Sequence, residues 1–110
     1  MEFSELMNSV QRAGEVWAVH VSDDWLQGRT VYGGLAAALC LEAAQRQFPD
    51  LPPLRSAQFS FIGPADGQLT IAPILLRKGK STVFAGVELH GDSGLATRAT
   101  LCFGAARPST

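Results

Sequence analysis

A chain of 110 residues fits one domain, and 46% apolar with 17% charged residues is a globular composition with a sparsely charged surface. A net charge of −1 with no basic block argues against a nucleic-acid or anionic-membrane surface. Two cysteines, Cys40 and Cys102, both in apolar runs, are too few for a disulfide framework and read as buried thiols in a reducing cytosol.

The opening "MEFSELMNSV" is acidic and amphipathic, unlike a signal peptide, and no apolar run reaches membrane-span length. The expectation is a cytoplasmic, soluble protein. Residues 1–13 predict a short helix, with Ser4 as cap, Phe3, Leu6, Met7 and Val10 on one face, and Gly14 as its stop. "EVWAVHV" reads as a strand with Trp17, Val19 and Val21 on one side. "SDDWLQGRT" is a polar loop carrying one large aromatic, Trp25.

"GGLAAALCLEAAQRQF", from Gly33 to Phe48, is the strongest helix signal, rich in alanine and leucine and free of proline. It is apolar almost all round through Leu41, which predicts that its first half is enclosed. Pro49 stops it, and "PDLPP" is a stiff connector. Four strands follow. "RSAQFSFIG" sets Ala57, Phe59 and Phe61 against Gln58 and Ser60, and "QLTIAPILLR" carries Pro73, which points to an edge or a bulge. "TVFAGVELH" and "LATRATLCFG" are joined by the hairpin turn "GDSG". Residues 105–110 read as a tail or the start of a linker. An antiparallel meander needs one face covered, and only the helix from Gly33 is apolar enough to cover it.

The stretches "DDWLQGRTVYGGLAAAL", "PLRSAQFSFIGPADG", "LLRKGKSTVFAGVEL" and "ATLCFGAAR" together make this chain resemble the hotdog fold. More narrowly, it resembles the first half of the thioesterase-like family of acyl-CoA thioesterases, which carry two hotdogs in one chain. The resemblance implies an α+β fold: a curled antiparallel sheet of about five strands around one long central helix, plus a short N-terminal helix. It covers residues from about Trp17 to Arg107 within a single hotdog domain, 1–110. In the family, a helix-borne aspartate of the second half, with a polar partner on a late strand, holds the water. This sequence is therefore either a fragment of a longer protein or a lone hotdog that pairs with itself.

Thioester hydrolysis needs an activated water and a donor for the carbonyl oxygen. Two glycines at the mouth of a helix, Gly33 and Gly34, let a ligand approach the backbone, and first-turn amides would then face the thioester oxygen. The competing reading is close packing of the helix end on the sheet. Related single-hotdog thioesterases carry His-Gly-Gly at this place, and Tyr32 stands where the histidine would be. The resemblance puts their acid at Leu41. The neighbouring Glu42 is turned by about 100°. It either reaches a site across a dimer interface or pairs with Arg46 at i,i+4.

Asp24 and Gln27 could orient a water, or only form the turn. Arg77, Lys78 and Lys80 at the "RKGKS" turn could meet coenzyme A phosphates, or be a solvated hairpin tip; Arg29 and Arg55 are weaker candidates. Trp25 and Tyr32 could wall an acyl tunnel, or fold back on the core. His20 and His90 lack metal-ligand spacing, so no metal is expected, and no cofactor either. Hydration of enoyl thioesters would want an Asp–His pair near the helix start, which the sequence does not offer.

The function expected is acyl-CoA hydrolysis to free acid and CoA. The alternative is a non-catalytic acyl-CoA-binding and dimerisation half without its own general base. Open sheet edges predict a homodimer or higher oligomer.

Overall fold

The computed structural model describes residues 3–21, 29–64 and 68–105. Helix α1 (Phe3–Asn8) is shorter than the sequence suggests. Ser9 closes it: its amide donates to the Glu5 carbonyl at 3.0 Å and its hydroxyl to the Leu6 carbonyl at 2.7 Å. The expected continuation to residue 13 is corrected, because Gln11–Ala13 is strand β1. Nothing in that exposed triplet signals a strand; it is extended because it pairs antiparallel with β2 (Val16–His20). Gly14 therefore serves the turn between two strands, at φ 71°, where a side chain would be strained.

Helix α2 (Arg29–Gln47) starts four residues before the position read from sequence. It is followed by β3 (Leu54–Phe61), β4 (Gln68–Lys78), β5 (Thr82–Gly91) and β6 (Gly94–Gly104). The sheet has six antiparallel strands, not five, in the order β1-β2-β4-β5-β6-β3. The β5–β6 turn falls on Gly91–Gly94, where the "GDSG" motif puts it, with Gly94 at φ 114°. Pro73 lies beyond the β2 pairing, which ends at Ile71, on a stretch of β4 with β5 alone beside it. A residue without an N–H is tolerated at such an edge. The register shifts between Leu75 and Arg77.

One face of the sheet carries a row from each strand. Val83, Ala85, Val87 and Leu89 of β5 stand beside Ala99, Leu101 and Phe103 of β6 and Leu69 and Ile71 of β4, all buried. Helix α2 meets this face with Leu35, Ala36, Leu39, Cys40, Ala43 and Ala44. Each fully buried leucine there stabilises the fold by roughly 1.5–3 kcal/mol.

The C-terminal end of α2 is tied down by polar contacts. Arg46 donates to the Val10 carbonyl at 2.7 Å and the Met7 carbonyl at 2.8 Å, joining the helix to the end of α1. Gln47 accepts from Trp17 Nε1 and from Arg12 Nη1, each at 3.1 Å. Both guanidinium groups stack near the Trp17 ring, at 5.6 and 5.8 Å from its centroid.

Candidate functional site

The expectation that the first half of α2 is enclosed is corrected. A helix turns about 100° per residue, so Gly34, Ala37, Ala38, Leu41 and Gln45 fall on one stripe. Gly34 and Gln45 are exposed and the other three half-buried, whereas the opposite stripe is the core face. The sheet curls over only one side of the helix.

Neither glycine is demanded by packing among the described residues. A Cβ on Gly34 would meet nothing within 4 Å, and one on Gly33 would lie 3.7 Å from Phe61 Cζ, an ordinary contact. Close packing of the helix end on the sheet is thus not what the pair serves. Their amides are not free first-turn donors either. With the helix beginning at Arg29, Gly33 and Gly34 are its fifth and sixth residues. Only the first four amides of a helix lack an internal acceptor. What the pair provides is a bare backbone surface beside an aromatic ring.

That ring belongs to β3, the edge strand next to β6. Phe59 and Phe61 stack at 6.3 Å between centroids and 15° between planes. By register Phe61 stands opposite Thr97 and Phe59 opposite Ala99, so both lie on the core-facing side. Phe61 is nevertheless 54% exposed, because the helix opposite it offers glycine. Thr97, flanked by Phe61 on β3 and Leu89 on β5, is 0% exposed. Among the described residues its hydroxyl has no hydrogen-bond partner. An unpaired buried hydroxyl costs about 1–3 kcal/mol. Neither residue was singled out from sequence. The available signal was one polar residue in the otherwise apolar row Thr97, Ala99, Leu101, Phe103.

The other candidates are not gathered here. Glu42 pairs with Arg46 at 3.5 Å, the i,i+4 alternative. It sits eight residues beyond Gly34, about 12 Å further along the axis. Arg77, Lys78 and Lys80 are exposed at the β4–β5 turn. Lys78 is in register with Val83 and Phe103, whereas Phe61 is in register with Thr97 and Leu89. Six residues of strand separate the two levels, about 20 Å. Within the chain the basic turn and the glycines are at opposite ends of the sheet. Asp24, Trp25 and Gln27 lie outside the described residues, as does the side chain of Tyr32.

Burial pushes the Cys40 thiol up to about 12, which keeps it protonated and unreactive. Cys102 is half-buried on β6 and also free. His90 stands 3.2 Å from Glu88, which also accepts from Arg98 at 2.9 Å. The His90 contact first, and then Arg98, hold the Glu88 carboxyl below its usual range. No three His, Cys, Asp or Glu side chains among the described residues converge to hold a metal ion. A groove of about 900 Å³ between the β1–β2 turn and Ile74, Gly86, Glu88 and Arg98 is not lined by Gly33 or Gly34, and in it Arg98 pairs with Glu88 while Arg12 is held by Gln47 and the Gly14 carbonyl.

The model of the acyl-CoA thioesterase N-terminal domain family matches residues 21–104. A search of curated protein sequences found no match. Among solved structures, a hot dog fold protein of unknown function from Alicyclobacillus acidocaldarius superposes with a TM-score of 0.81 at 23% identity, covering 100% of this chain and 42% of that one. An acyl-CoA thioesterase II from Mycobacterium marinum gives 0.77 at 16%, over 96% of this chain and 39% of that one. A Bacillus halodurans protein solved with CoA gives 0.67 at 17%, over 82% and 66%. The fold is therefore the hotdog expected from the residues, with one strand more. The chain spans about two-fifths of the length of the first two proteins.

Proposed function

The chain belongs to the acyl-CoA thioesterase N-terminal domain family, and from that premise we propose that it serves the hydrolysis of acyl-CoA thioesters, seating the acyl end between Phe61 and the glycines of α2. The observation that carries this reading is the backbone at Gly33 and Gly34, where among the described residues an added Cβ would meet nothing but the half-exposed ring of Phe61. The presence of CoA in the Bacillus halodurans relative supports the ligand class.

In the reaction, water adds to the thioester carbonyl carbon and the C–S bond breaks. The acid keeps the water oxygen, and a proton passes to the departing thiolate. Asp24 or Gln27, on the segment preceding α2, would orient that water. Glu42 is engaged by Arg46 instead. That engagement favours one second reading, in which the chain binds acyl-CoA and another hotdog supplies the base. In either reading a second hotdog, whether a further domain or another copy, covers the edge of β3 and the less covered stripe of α2, where Leu54, Phe61 and Ile62 are exposed.

Thiol release from acetyl-, octanoyl- and palmitoyl-CoA, with binding followed by calorimetry, tests this. Turnover supports the first reading, and binding without turnover the second. A chain that neither binds nor hydrolyses any of the three sinks both. Light scattering that shows a stable monomer at micromolar concentration removes the paired assembly.

A further inference from the structure

We propose that Thr97 is a hydrogen-bond donor to the carbonyl oxygen of the bound acyl thioester, and that Phe61 is the gate between that hydroxyl and solvent; this rests on the acyl-CoA reading above. Three observations meet at this point. The glycine amides that the sequence suggested as donors are inside the helix, so they do not supply the bond. The hydroxyl of Thr97 is fully buried and unpartnered among the described residues, and its cross-strand neighbours, Phe61 and Leu89, carry no polar group to satisfy it. A valine would fill the same volume with no polar atom, so packing alone does not call for a threonine here.

The route to Thr97 passes Phe61. In the strand order β3 is outermost, so from the open edge of the sheet the Phe61 ring precedes Thr97. The ring touches only the edge of the glycine surface, 3.7 Å from the Cβ position of Gly33, and is 54% exposed. Half-exposed side chains change rotamer on a fast timescale. Turning the ring aside opens a path from the bare surface at Gly34 to the Thr97 hydroxyl. An acyl thioester laid along the glycines would place its carbonyl within reach of a donor that has nothing else to bond. Donors aimed at a developing oxyanion contribute more to turnover than to ground-state binding.

The test uses the full chain with octanoyl-CoA and compares Thr97→Val, Thr97→Ser and Phe61→Ala with wild type. Thr97→Val should lower kcat/KM at least tenfold while its melting temperature stays level or rises, because an unsatisfied hydroxyl has been removed. Thr97→Ser should restore most of the activity, which a purely packing role of the methyl group would not do. Phe61→Ala should shift preference towards bulkier acyl groups. If the wild type binds without turnover, the same variants are read by affinity for octanoyl-CoA relative to free CoA, and Thr97→Val should narrow the difference severalfold while Thr97→Ser keeps it. A Thr97→Val chain equal to wild type in both readouts overturns the role of Thr97 and leaves the acyl-CoA reading standing. A wild type that neither binds nor hydrolyses overturns that reading, and this one with it.

Discussion

The two ends of α2 are built from the same aliphatic vocabulary but do opposite things. At the C-terminal end, Arg46 and Gln47 bind the helix to α1, to β1 and to Trp17 through directed hydrogen bonds. At the N-terminal end, Gly33 faces an exposed ring and a Cβ on Gly34 would meet nothing within 4 Å among the described residues. The first end holds the helix in place against the sheet. The second lacks such ties, and its two glycines lower helix propensity with no return in packing among the described residues. Hydrophobicity alone does not distinguish an anchored helix end from an untied one; the polar ties and the missing side chains do.

The sharpest way to break this comparison is at Arg46. Arg46→Ala should destabilise the chain by about 2–3 kcal/mol, since two charge-assisted bonds to carbonyls are lost together. Urea melts measure it, and a change under 0.5 kcal/mol would deny the anchor. Gln47→Ala should cost roughly 1 kcal/mol through the stranded Trp17 and Arg12 donors. Equal stability by the same melts would show that the amide is dispensable.

At the open end the sign should reverse. Gly34→Ala should stabilise the helix by up to about 1 kcal/mol, because nothing stands in the way of the new methyl. It should also weaken octanoyl-CoA binding severalfold. A variant that is stabilised and binds as well as wild type would show that the bare surface has no ligand. The smallest effect belongs to Glu42→Gln. A half-exposed i,i+4 pair contributes a few tenths of a kcal/mol, and thiol release should be unchanged. A tenfold loss of activity would return Glu42 to the site.

Much of the fold was readable because it follows from local rules. Alternation in "SAQFSF" put Phe59 and Phe61 on one face, "GDSG" marked its turn, and the alanine-rich run marked its helix. Gln11–Ala13 carries no strand signal, because glutamine, arginine and alanine have no strand preference of their own. They became a strand by pairing with β2. Glycine marks helix boundaries, which points to a start at Gly33, yet the helix runs through both glycines from Arg29. Within the candidate site, the glycine pair could be found by its local oddity. Thr97 leaves only the faint signal of one polar residue in an apolar row, and its meeting with Phe61 leaves none, since the two are 36 residues apart and meet only by register.

By itself, the sequence determined that an apolar helix would cover an antiparallel sheet, because periodicity and turn chemistry act over a few residues. Only tertiary structure decided that β3 would lie at the far edge, that one stripe of α2 would be only partly covered, and that the hydroxyl of Thr97, across from Phe61 in register, would be buried without a partner among the described residues. Those outcomes depend on which strands pair and how far the sheet curls, and such long-range contacts leave no mark in any short stretch of chain.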